Sequence, residues 1–229
     1  MKDQYIALSE IFFYPKDGYQ DKVKYCQQYL EEFYPEAAVT FQRFADYIDD
    51  KSVCEIEEVF GFTFHIQAIC YLDIGYVLFG EDYSRGEFLV NMKQEQAKIN
   101  HDCGEELADN LPHVLQLIAI SEDEEFIQEL VLKAAIPAVE KMLEEFEEGR
   151  MALKRKVTKK KQKAIIMEDI TNGNIYQNAL QTLLKVFKMD FDDVDSQEHQ
   201  IHKYNPTLVG LANACGGGCS FVQQKTVKK

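Results

Sequence analysis

Apolar residues recur at steps of three and four along most of the first 148 positions, the spacing of one buried face of an α-helix. Val23, Cys26, Tyr29, Leu30 and Phe33 keep this step, and Phe126, Leu130, Ala134, Ala138 and Met142 form a second such stripe. The polar punctuation agrees. Ser52–Glu55, Ser84–Glu87 and Ser121–Glu124 have capping-box spacing, in which the Ser hydroxyl accepts from an orphan backbone N–H and the Glu reaches back to the cap. Asp17 with Gln20 has the same offset, and Asp109 or Asn110 precedes Pro112, a residue tolerated in a first turn. These signals predict helices over 4–14, 18–33, 36–49, 53–60, 63–79, 85–102, 111–120 and 122–148, with Pro137 kinking the last. Segment 63–79 is apolar almost all round, so it is expected at the centre with neighbours on several sides. Asp73 is its sole formal charge, expected on a residual wet face, capping a neighbouring backbone, or as a buried carboxylate lining a groove. Alternating strand patterns, an Asn-Gly hairpin between apolar runs and long internal repeats are all missing from the sequence.

The pattern changes at residue 150. Residues 150–163, RMALKRKVTKKKQK, hold eight basic residues and no acid, with poor periodicity. IYQNALQTLLKVF, 175–187, restores an amphipathic stripe through Leu180, Leu183, Leu184 and Phe187. Beyond it no helical period is sustained. The expected organisation is an all-α, bundle-like domain of about eight helices over 1–149, a basic linker over 150–172, a C-terminal helix over 173–189 and a flexible tail over 190–229.

Composition narrows the classes. With 46% hydrophobic residues in 229, the chain can bury a sizeable core. Its net charge is −14, and outside the basic stretch 17 basic residues face 39 acidic ones, a balance of −22. Such a body repels phosphate, which argues against nucleic-acid binding. The basic stretch has no interleaved aromatic residue, as base stacking would favour, and is expected to contact the acidic body or keep a linker solvated. No apolar run is long enough to span a membrane, and the N-terminus lacks a basic leader and a cleavage site. Six scattered Cys suggest reduced thiols, and a cytoplasmic location is expected.

Familiar catalytic motifs are missing. There is no phosphate-cradling Gly loop, no Gly-x-Ser-x-Gly elbow and no His-Glu-x-x-His, and nothing nominates a reaction. Glu144, Glu145, Glu147 and Glu148 read as a solvated helix end. His199, His202, Cys215 and Cys219 could complete a tetrahedral zinc shell in the tail, although their order departs from common finger spacings. His101 and Cys103 read as the solvated end of a helix.

The richest region is Tyr76 to Pro112. Gly80 breaks one helix, a polar loop follows, and Leu107-Ala108-Asp109-Asn110-Leu111-Pro112 leads into another. Two loop-to-helix corners beside an apolar wall suit peptide recognition, with Arg85 and Asp109 fixing backbone or charge. The order of LSEIFFYP (Leu8 to Pro15), an aromatic-rich helix ending at Gly80, Arg85-Gly86 and Leu107-x-Asp109-x-Leu111-Pro112 resembles the NarJ branch of the NarJ/TorD/DmsD redox-enzyme maturation chaperones, over about residues 5–148. The resemblance implies an all-α protein that is not an enzyme and has no cofactor of its own. It implies binding to the apo catalytic subunit of a molybdenum oxidoreductase, such as a nitrate reductase-like enzyme, often through its N-terminal segment. The client, not the chaperone, carries molybdopterin guanine dinucleotide. Tyr76, Asp82, Arg85, Asp109 and Leu111 are then expected around the binding groove, with Gly80, Gly86 and Pro112 shaping its corners. A metal or redox module built on the tail, and a general helical adaptor, are the alternatives.

Overall fold

The computed structural model describes residues 2–66, 68–147 and 175–191. They form an all-α fold with no β-strand among them. The helices are α1 (Asp3–Phe12), α2 (Tyr19–Phe33), α3 (Pro35–Asp49), α4 (Val53–Phe64), α5 (Ile74–Phe79), α6 (Tyr83–Lys98), α7 (Leu111–Ile120), α8 (Glu124–Leu130), α9 (Ile136–Glu144) and α10 (Ile175–Phe191). None is long and apolar enough to cross a membrane. The basic stretch and the tail, including His199, His202, Cys215 and Cys219, lie outside the described residues.

The central helix is α7, not the 63–79 segment. Leu111, Val114, Leu115, Leu117 and Ile118 are all fully buried, and α1 packs along one side of this helix. Segment 63–79 is instead divided. Helix α4 continues to Phe64, the chain then runs irregularly, and α5 begins at Ile74. The irregular stretch folds back over the end of α4. The Gly61 carbonyl accepts from the His65 and Ile66 N–H groups, and the Thr63 carbonyl accepts from those of Ile69 and Cys70. These bonds satisfy the carbonyls that a helix end leaves without partners. Ala68, Ile69, Cys70 and Leu72 remain buried, so the apolar content of the segment serves the core without being helical.

Helix α10 lies in the same core, against α3 and α9. Its Tyr176 sits among the rings of Phe44, Phe60 and Phe64, with centroids 5.0–5.6 Å away. The Tyr176 and Tyr19 hydroxyls lie 3.2 Å apart, and Tyr19 donates to the Ile11 carbonyl at 2.7 Å. At the other end Asp190 accepts from Gln4, Tyr5 and Tyr34 at 2.6–2.9 Å, clasping the C-terminus of α10 to α1 and to the α2–α3 corner.

The caps follow the sequence in part. The Ser52–Glu55 capping box is complete. Asp82 rather than Ser84 caps α6, by accepting from the Ser84 N–H, and Asp123 rather than Ser121 caps α8, by accepting from that of Phe126. Gly18 precedes α2 at φ 83°. Pro137 shows its effect upstream as a π turn, Val131–Ala135, in which the Ile136 N–H reaches the Val131 carbonyl. Proline has no N–H for the Lys133 carbonyl, and the widened ladder accommodates that gap. Among the cysteines, Cys26 and Cys70 are buried and Cys54 is exposed.

Candidate functional site

The site begins with a backbone contact between two corners. The Ile74 N–H donates to the Asp109 carbonyl at 3.0 Å, and the Leu111 N–H donates to the Leu72 carbonyl at 2.9 Å. This isolated bridge, Asp73 against Asn110, joins the entry of α5 to the entry of α7. The Asn110 side-chain amide donates to Asp73 at 3.1 Å. Asp109 is thereby driven inward and is wholly buried, with its Oδ2 accepting from the Gly75 N–H at 3.1 Å.

Gly75 is required here by space. A Cβ on it would stand 2.6 Å from Asp109 Oδ2 and 2.9 Å from the Phe88 ring. Arg85, in the first turn of α6, completes the group. Its Nη2 lies 3.6 Å from Asp73 Oδ2 and its Nε 3.8 Å from Asp109 Oδ2. The guanidinium also lies over the Tyr76 ring, 5.1 Å from its centroid, within cation–π range. These distances favour charge attraction over close hydrogen bonding. Arg85 Nε and Asp109 Oδ1 are both buried without a hydrogen-bond partner among the described residues.

Burial raises the Asp109 carboxyl to about 6, and the neighbouring Asp73 charge pushes in the same direction. Arg85 and the backbone donors oppose the shift without cancelling it. A buried acid that titrates close to neutrality is common at functional sites and also in structural ion-pair networks.

Beside this cluster opens a cleft of about 530 Å³ between the 69–80 segment and α9. Tyr71 and Tyr76, packed edge to face at 4.9 Å, form one wall, and Val77 and Gly80 extend it. Met142, Lys141, Glu144 and Glu145 form the other. The volume falls within the range of small-ligand pockets and would admit a few side chains of a partner.

The structure brings together Tyr76, Arg85 and Asp109 from the expected set, and places Gly80 on the cleft wall at φ 63°. Asp82 stays in its capping role, exposed, where the Ser84 bonds hold its carboxyl below the usual range. Gly86 has open space around it. Leu111 and Pro112, expected at the groove, are buried within α7, because that helix is central. They support the corner from inside and do not face the cleft. The acids Glu144 and Glu145, read as a solvated helix end, line the cleft. Asp73, singled out in the sequence as either a wet-face acid or a groove carboxylate, joins the cluster half-buried beside Arg85, and Gly75 is the residue the chemical pattern passed over. A glycine within an otherwise apolar run was the signal available for it.

A second convergence lies between the chain that follows α6 and the first turns of α7. After α6 ends at Lys98, Asn100 at φ 55° and Gly104 at φ 60° turn the chain back. His101 Nε2 comes within 3.0 Å of His113 Nδ1 on α7, and the Cys103 thiol donates to Gln96 Oε1 at 3.1 Å. His101 and Cys103 are thus not a solvated helix end. Burial lowers the proton affinity of both imidazoles and raises the thiol, while Asp102 opposes the first effect and adds to the second.

Compared with known protein families and with curated proteins, the chain finds no match. The chain is thus an all-α protein with a cleft of about 530 Å³ beside a buried ionic corner.

Proposed function

We propose that the chain is a maturation chaperone of the NarJ type, which binds the apo catalytic subunit of a molybdopterin oxidoreductase in the cytoplasm through the client's N-terminal segment. The observation that carries this reading is the meeting of Tyr76, Arg85 and the Asp73–Asp109 pair beside the 69–80 and α9 cleft. Those residues come from the regions whose order resembles the family. The cleft supplies aromatic and apolar walls for side chains, and Glu144 and Glu145 supply negative charge for a basic segment. The acidic body would accelerate the encounter with a positively charged segment.

The chemistry required of this chain is binding, not bond making. It favours the unfilled client and releases it once cofactor insertion closes the client, a cycle set by the difference in affinity for the two states. The test is affinity purification from cells grown under anaerobic respiration, with and without molybdate. A molybdoenzyme catalytic subunit should co-purify, more strongly without molybdate, and its absence under both conditions refutes the proposal. Calorimetry with the client's N-terminal peptide then locates the surface. Tyr71→Ala and Glu144→Lys should each weaken binding by about tenfold, equivalent to about 1.4 kcal/mol.

A further inference from the structure

We infer that His101, Cys103 and His113 form a zinc-binding site, separate from the cleft and from the His/Cys residues of the tail. One donor atom from each of the three lies within 4.8 Å of the other two. The His101 Nε2 to His113 Nδ1 separation is 3.0 Å. Two nitrogens of a tetrahedral zinc shell lie roughly 3.3 Å apart, given Zn–N bonds of about 2.0 Å. The imidazoles therefore need to part by only a few tenths of an ångström, and the thiol swings inward to complete three ligands. Two nitrogens and one thiolate are a donor set that suits zinc and disfavours magnesium or calcium, which take oxygen.

The surroundings hold these ligands in place. His113 is anchored in α7, and its ring packs edge-on against Phe13 at 5.2 Å. Gln96 is buried, donates to the Ala108 carbonyl at 2.8 Å and orients the Cys103 thiol through its own carbonyl oxygen. In the metal-free form the two imidazoles share one proton between the facing nitrogens. Zinc takes both facing nitrogens from neutral imidazoles, so the donating ring carries its proton on its other nitrogen, and the thiol proton alone is released to solvent. Asp102, between His101 and Cys103, is exposed, and a tetrahedral shell with three protein ligands leaves a fourth position for water. Bound zinc would fasten the 99–110 loop to α7 and so brace the corner that delivers Asp109.

The test uses the full chain, stripped with chelator and titrated with cobalt(II), whose visible spectrum reports tetrahedral geometry and thiolate ligation. One equivalent should bind with a thiolate-to-cobalt charge-transfer band, and zinc should displace it. Cys103→Ser should abolish the band. His101→Gln should weaken affinity by roughly tenfold or more, the least expected for a ligand when outer partners alone cost about 10–100-fold. The double variant Cys215→Ser/Cys219→Ser should keep the band. Far-UV circular dichroism confirms that each variant is folded. A chain that takes up no cobalt, or a band that survives Cys103→Ser, overturns the inference; a band lost only in the tail variant assigns the metal to the tail instead.

Discussion

The substitution Asp109→Asn separates charge from shape at the corner of the site. The amide oxygen can still accept from the Gly75 N–H, so packing is kept while ionisation is removed. In the native chain the carboxyl is raised from 3.8 to about 6 by burial and by Asp73. The folded state therefore holds its proton more tightly than the unfolded state. The sign follows from linkage: this group's stabilising contribution is complete below about pH 4 and is lost as pH rises through about 6. A shift of about two units corresponds to roughly 3 kcal/mol. Urea unfolding of both proteins, at matched pH values from about 4 to about 7.5, gives the difference in stability. The stability of the native chain minus that of the Asp109→Asn variant should fall by about 2–3 kcal/mol across that range, with most of the change between about pH 4 and 6. Carboxylates remote from the corner titrate equally in both proteins and cancel, and the difference belongs to Asp109 with its coupled neighbour Asp73. Parallel profiles would show that Asp109 is not the titrating group and would refute the electrostatic account of the corner.

Gly75→Ala should cost about 2–3 kcal/mol in chemical denaturation, because its Cβ would press on Asp109 and Phe88 with no flexible tip to move. Ser52→Ala removes half of the capping box of α4 and should cost about 1 kcal/mol in the same assay. Asp190→Ala should lower stability by about 1–3 kcal/mol, since it deprives the buried Tyr5 hydroxyl of its acceptor along with Gln4 and Tyr34 of theirs. Amide exchange in that variant should quicken first in α10, if the Asp190 clasp holds that helix to α1.

Much of the helical plan was legible because a 3.6-residue period must show itself wherever one helix face is buried. The stripes in α2, α3 and α10 and the Ser52 box are of this kind. The 63–79 segment was not legible for the same reason. Where nearly every residue is apolar, burial leaves no period, and helix and irregular chain look alike. The choice fell to backbone bonds with partners far along the chain, Leu72 with Leu111 and Ile74 with Asp109. The cap of α6 also moved from Ser84 to Asp82, because both carry capping oxygens and local spacing does not rank them.

The helical class, the acidic body and the presence of Arg85 and Asp109 at two corners can all be read from the order of residues. Those properties depend on local spacing and composition. Which helix is central, which acid is buried, and the meeting of Tyr76, Arg85 and Asp109 follow from long-range packing. It also brings His113, inconspicuous within an apolar helix, to face His101 and Cys103. Each of these depends on the distance between segments well separated along the chain, which loop closure and core packing set together and no local pattern encodes.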